Sequence, residues 1–200
     1  PMSIMDIVNN ADNALFYIVK DLADDTRHLG RETVKSFGVR SRFVHFEFFR
    51  LLSDHEGLGK KGDLMALEVN MRPSGGFTPD MINFARETDV YKIWADMVAY
   101  DSTQKPVGAH HFCAFAGLRD GKDFAMTPDA IIEKYTEQLK MVERMPDALS
   151  DAMGNQMYLA TFDTEEALNA FFADVTRLKE VDTSEESETA ETIVVQVERT

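Results

Sequence analysis

A single cysteine, Cys113, stands in 200 residues. No intrachain disulfide can form, which suits a reducing compartment, so a cytoplasmic setting is expected. Basic residues are also scarce: 21 Lys and Arg face 35 Asp and Glu, a formal net charge of −14. That balance argues against nucleic acid or an anionic membrane surface as the main partner. No apolar run approaches the roughly 20 residues that a membrane-spanning helix needs. No basic stretch followed by an apolar one marks a secretory leader. Gly-x-Ser-x-Gly and comparable nucleophile signatures are missing, as are internal repeats. What is present is a globular composition, 44% hydrophobic and 10% aromatic, in a chain long enough to bury a substantial core as one large or two small domains.

The most informative stretch is Leu67-Glu68-Val69-Asn70-Met71-Arg72-Pro73-Ser74-Gly75-Gly76. Read as a strand of period two, it puts Leu64, Ala66, Glu68, Asn70 and Arg72 on one face. Met65, Leu67, Val69 and Met71 take the other. Upstream, the run from Arg42 to Leu51 is rich in aromatic and β-branched residues and predicts a second strand, with Phe43, His45, Glu47 and Phe49 on one face. The polar, glycine-rich connection between them predicts an antiparallel hairpin. A register pairing Glu47 with Glu68 centres its turn near Gly57-Leu58. Two carboxylates side by side repel unless a cation lies between them. Oxygen ligands from Glu47, Glu68 and Asn70 suit Mg²⁺ or Mn²⁺, with phosphate oxygens and water completing the shell. Arg72, next on the same face, would meet the anion that the metal serves. An exposed polar sheet face is the plainer reading of the same pattern.

These residues resemble the metal-binding core of the ATP-grasp superfamily, most closely its carboxylate–amine (amino-acid) ligases. The resemblance rests on His45-Phe-Glu47, on Glu68-x-Asn70-x-Arg72 and on the Pro-x-Gly-Gly beyond them. It implies that Glu47, Glu68 and Asn70 hold Mg²⁺ between the phosphates of ATP. It implies that Arg72 contacts the acyl-phosphate or the transferred phosphoryl group, and that Gly75 and Gly76 shape the substrate pocket. His45, on the face of Glu47, is a candidate for orienting substrate or phosphate, or else a structural hydrogen-bonding histidine. The expected partners are ATP and small carboxylate and amine substrates. In that family the lysines and hinge residues that grip adenine lie N-terminal to the metal core, and nothing upstream of Glu47 supplies them. The chain is therefore expected to be the C-terminal part of a longer ligase, with a nucleotide-binding half upstream. Two other readings stand beside it: a non-catalytic binding or regulatory module of the same fold, and a metal-dependent phosphoesterase.

The expected fold class is α+β, an antiparallel sheet with flanking helices plus a small appended α+β module. Residues 1–105 are expected to form the metal and phosphate core, 106–180 the module, and 181–200 an acidic tail. Strands are predicted at Ser3–Asn9, Ala14–Lys20, Ala109–Leu118, Leu139–Met145 and Gln156–Phe162, with a possible edge strand at Ile193–Val197. Helices are predicted at Asp24–Phe37, with Leu29, Val34 and Phe37 inward, after Thr78-Pro79, and over Val90–Tyr100. Further helices are expected after Thr127-Pro128 and after Asp163-Thr-Glu-Glu166, which resembles a capping box. Gly57-Leu-Gly-Lys-Lys-Gly62 lacks the Gly-Lys-Ser/Thr ending of a phosphate loop and reads as a hairpin tip. His110-His111-x-Cys113 lacks a second cluster to complete a metal site and reads as packing.

Overall fold

A computed structural model describes residues 4–103 and 108–179. The expected tail and the edge strand at Ile193–Val197 lie outside the described residues. The protein is α+β: a four-stranded antiparallel sheet with helices on both faces, and a separate two-stranded hairpin.

The order along the chain is α1 (Ile4–Asn9), β1 (Ala14–Ile18), α2 (Asp24–Ser36), β2 (His45–Arg50), β3 (Leu64–Asn70), α3 (Thr78–Arg86) and α4 (Val90–Tyr100). It continues with β4 (Phe112–Leu118), α5 (Pro128–Lys134), β5 (Leu139–Arg144), α6 (Asp147–Met153), β6 (Gln156–Phe162) and α7 (Glu165–Thr176). The main sheet has the order β1-β4-β6-β5. Ala14 pairs with Gly117 and Ile18 with Cys113, while Phe112 pairs with Phe162. The domain division expected at residue 105 therefore runs through this sheet: β1 comes from one side of it and β4, β5 and β6 from the other.

The Phe-Cys-Ala-Phe-Ala-Gly-Leu run of β4 has no polar alternation because both its faces are covered. Ala114, Ala116 and Leu118, with Tyr158, Ala160 and Phe162 of β6, meet Ile131 and Tyr135 from the α5 side and Leu168, Phe171 and Val175 of α7. Cys113 and Phe115, with Met157 and Leu159, meet Ile7 of α1 and Met81 and Ala85 of α3. Alternate residues of each central strand thus feed two cores, one on either side of the sheet. Gly117 is required where α6 ends against β4, because a Cβ there would run into the Met153 carbonyl oxygen. Two helix starts obey the sequence rules closely: Thr127 accepts from the Ala130 amide and Thr164 from the Ala167 amide.

Two expectations need correction, and one helix was not expected. Residues 4–9 form a helix, not a strand; Ile4, Ile7 and Val8 also fit helical spacing, and burial of Ile7 beside Met81 decides between the two periods. Helix α2 exists but buries no residue, and Phe37 is 60% exposed instead of facing inward. Helix α6 was not legible, being seven residues long and opened by Pro146 without a side-chain cap. Among the described residues, no helix is long and apolar enough to cross a membrane.

Candidate functional site

The candidate site sits on the β2–β3 hairpin. His45 lies opposite Asn70, Phe46 opposite Val69, and Glu47 opposite Glu68. Directly opposed residues of an antiparallel pair point to the same face, so His45, Glu47, Glu68 and Asn70 form one polar quartet. The expected Glu47–Glu68 register is the one observed. The turn is also where it was expected, since the backbone of His55 and Gly59 pairs across Glu56, Gly57 and Leu58.

One step beyond the quartet the register shifts. Phe48 lies opposite Ala66 and Phe49 opposite Met65, leaving Leu67 as the extra residue of a bulge. The shift overturns part of the expected face. Leu64 and Ala66 do not continue the row of Glu68 and Asn70; Met65, opposite Phe49, takes that side. The bulge also ends the polar face, because Phe49 and Met65 are apolar. The quartet is consequently compact and does not continue down the hairpin.

Burial is graded across it. Glu68 is exposed, while His45, Glu47 and Asn70 are half-buried. His45 Nε2 lies 3.7 Å from Glu47 Oε1. His45 Nδ1 and Asn70 Nδ2 are both buried with no hydrogen-bond partner. Buried polar atoms normally find partners, and here two on opposed residues have none. An amide can be turned over to exchange its oxygen and nitrogen, so Asn70 can present an oxygen at the same place.

Arg72 and the glycines are placed differently. Strand β3 stops at Asn70, so Arg72 does not extend the strand face as expected. Its guanidinium donates to the Pro73 carbonyl oxygen at 2.9 Å, and Pro73, with its fixed φ and no amide proton, cannot continue the ladder. Gly75 and Gly76 form the link into α3. Gly76 has φ +60°, a left-handed conformation that suits glycine, and a Cβ there would stand 3.4 Å from Met153 Cε. The structure thus brings His45, Glu47, Glu68 and Asn70 together. It leaves Arg72, Gly75 and Gly76 in the link beyond β3, with no hydrogen bond or ion pair to the quartet among the described residues.

Among the described residues, no three His, Cys, Asp or Glu side chains are grouped to hold a metal ion. A cation on this face would rest on two carboxylates and the Asn70 amide oxygen. That donor set is all oxygen, and it fits a hard divalent ion that keeps water and phosphate in its shell. The pair His110-His111 and Cys113 do not converge. His111 Nδ1 meets Asp163 Oδ1 at 2.8 Å and its Nε2 faces Glu87 Oε1 at 3.5 Å. Cys113 is buried in the core instead, where burial pushes its thiol up to about 12. Glu87 is held below its ordinary value, first by the Ala109 amide and then by His111.

Sequence reasoning missed an apolar cavity of about 390 Å³ between the entry to β2 and the α3–α4 pair. Phe43 and Trp94, both among its walls, stack on one another with centroids 5.6 Å apart and planes 17° from parallel. Its signal in the sequence is Val90, Tyr91 and Trp94, apolar and aromatic residues at helical spacing in the first turns of α4. No family model matches the chain, and no curated protein matches it.

Proposed function

We propose that the hairpin is the metal and phosphate half of an ATP-dependent carboxylate–amine ligase of the ATP-grasp kind. The observation that carries this reading is the direct opposition of Glu47 and Glu68, with Asn70 two residues further on the same face. In this reading Glu47, Glu68 and Asn70 hold Mg²⁺, which neutralises the phosphates of ATP. Glu47 is the stiffer ligand, being half-buried beside His45. Glu68 is the adjustable one, being exposed. The substrate carboxylate attacks the γ-phosphorus, ADP leaves, and the amine then displaces phosphate from the acyl carbon. Arg72 turns from the Pro73 carbonyl to the charge developing on the phosphoryl and acyl oxygens. The chemistry needs no protein nucleophile, in keeping with the sequence. The setting in this reading is cytoplasmic.

The test uses Mn²⁺ in place of Mg²⁺ with ATP, read by paramagnetic broadening of backbone amides. Broadening centred on residues 45–47 and 68–70, and lost in Glu68→Gln, is the expected result. Broadening elsewhere, or none, contradicts it. In the ligase, Arg72→Ala is expected to abolish turnover while leaving the fold intact, and near-normal turnover would sink that assignment. A second reading, a non-catalytic metal-binding module, is favoured by the bond of Arg72 to its neighbour's carbonyl. Metal binding with no turnover by the complete protein would select it.

A further inference from the structure

We propose that a second cavity, between the loop after β4, α5 and the start of β6, binds an uncharged planar carboxamide, with the Tyr158 hydroxyl donating to its carbonyl oxygen and the Gln156 side chain accepting from its N–H. The cavity holds about 300 Å³, at the lower end of the small-molecule range. None of its lining residues belongs to β2, β3, α3 or α4, so the proposal stands apart from the hairpin and from the ligase reading.

Two tyrosines are buried among the described residues, Tyr135 and Tyr158. The Tyr135 hydroxyl donates to Asp174 Oδ2 at 2.5 Å. Tyr158 is only 1% exposed and lines the cavity, yet its hydroxyl has no hydrogen-bond partner among the described residues. Buried polar groups normally find one. The hydroxyl is not sealed in protein, and the cavity is the space it opens on. Burial pushes its pKa above the ordinary value, so it keeps its proton and can donate. Gln156 stands two residues earlier on β6 and so on the same face. It lines the same cavity. Its Nε2 donates to the Glu143 carbonyl at 3.0 Å and to the Met157 carbonyl at 3.3 Å. Those bonds set which way the amide is turned, and they leave Oε1 without a partner among the described residues. A hydroxyl donor and an amide acceptor on one face match the C=O and N–H of a primary amide or a lactam.

The remaining walls set the charge and shape of the ligand. Arg144 donates to both carboxylate oxygens of Asp120, at 2.8 and 2.5 Å. Lys179 Nζ meets Asp123 Oδ1 at 2.7 Å, and Lys122 Nζ faces Asp12 Oδ1 at 3.6 Å. Arg119 is engaged by the carbonyl oxygens of Asp12 and Ser150. Each basic residue at the cavity therefore already has a partner. A carboxylate or an ammonium would have to break one of these pairs to be held, whereas an uncharged molecule leaves them intact. Below the polar groups the cavity is apolar: Leu118 and Ile131 are buried, and Phe124 and Met126 are partly buried. Such a floor accepts the face of a planar ring.

The test titrates the chain with benzamide, benzoate and toluene and follows backbone-amide chemical shifts. Benzamide is expected to give saturable shifts centred on residues 119–124 and 156–158. Benzoate, which is charged, and toluene, which lacks the amide, should each bind about tenfold more weakly or less. Tyr158→Phe removes only the unpartnered hydroxyl, so the chain should fold. It should weaken benzamide by about tenfold and leave toluene unchanged. Gln156→Leu should likewise weaken benzamide and not toluene, and it carries the test if Tyr158→Phe does not fold. Glu68→Gln should leave benzamide binding unchanged; its loss there would put the site on the hairpin and overturn the proposal. No saturable shift, shifts centred elsewhere, benzoate or toluene bound as tightly as benzamide, or full benzamide affinity in either folded variant would also overturn it.

Discussion

The two sheets of this protein are built from strands of similar length and serve opposite ends. In the main sheet, Cys113, Ala114, Phe115 and Ala116 of β4 are each 0% exposed, as are Met157, Leu159 and Ala160 of β6. In the hairpin, no residue of β2 or β3 is fully buried, and Phe49 and Leu67 are 57% and 55% exposed. The main sheet is closed by helices on both sides. The hairpin is fastened at its margins, by Phe43 stacked on Trp94 and by Arg50 paired with Asp25 at 2.7 Å. One sheet carries the buried core, and the other presents a polar face that contributes no fully buried residue. Chemistry on such a face can change without loss of the core, which is how function is grafted onto an architecture.

That division can be broken or sharpened by substitution. The largest effect is expected from Gly117→Val, which drives a side chain into the Met153 carbonyl between β4 and α6; a chain that does not fold is the expected outcome, measured by far-ultraviolet circular dichroism. Phe171→Ala empties a fully buried site among Tyr135, Phe162 and Phe172 and should cost about 3–5 kcal/mol in denaturant unfolding. Thr164→Ala removes the cap that receives the Ala167 amide and should cost about 1 kcal/mol. Phe49→Ser on the hairpin should change stability by less than about 0.5 kcal/mol. A loss as large as that of Phe171→Ala would show the hairpin to be part of the core.

The smallest effect is electrostatic. The Arg50 guanidinium beside Asp25 holds its carboxyl down at about 2, against an ordinary 3.8. Because the folded value is the lower one, the contribution is present above the ordinary value and is lost as pH falls through about 2. Both partners are exposed, so the contribution is small and screened by salt. A carbon-detected titration of Asp25 should show the low midpoint, and Arg50→Ala should return it toward the ordinary value.

Much of this was legible in the sequence. The β4 strand, the Thr127 cap and the existence of α7 arise from local pattern, although the cap of α7 is Thr164, one residue beyond the Asp163 that the expected capping box starts from. So does the opposition of Glu47 and Glu68, because hairpin register is constrained by where the glycine-rich turn can lie. The bulge at Leu67 was not legible, since one extra residue leaves the composition unchanged yet reverses the face on which Ala66, Met65 and Leu64 lie. Arg72 departed from the strand face because Pro73 ends the ladder. The pairing of β1 with β4 was hidden by the long stretch of chain between them, and the Phe43–Trp94 cavity by lying between elements with no shared local pattern.

The most direct measurement is calorimetric titration with ATP in Mg²⁺, comparing the wild-type chain with Glu68→Gln and recording thermal unfolding of both. Saturable nucleotide binding by the wild type, lost in Glu68→Gln at unchanged melting temperature, is the expected result. Equal binding by the two chains, or a lowered melting temperature in the variant, would contradict a hairpin whose polar face binds metal and nucleotide without supporting the fold.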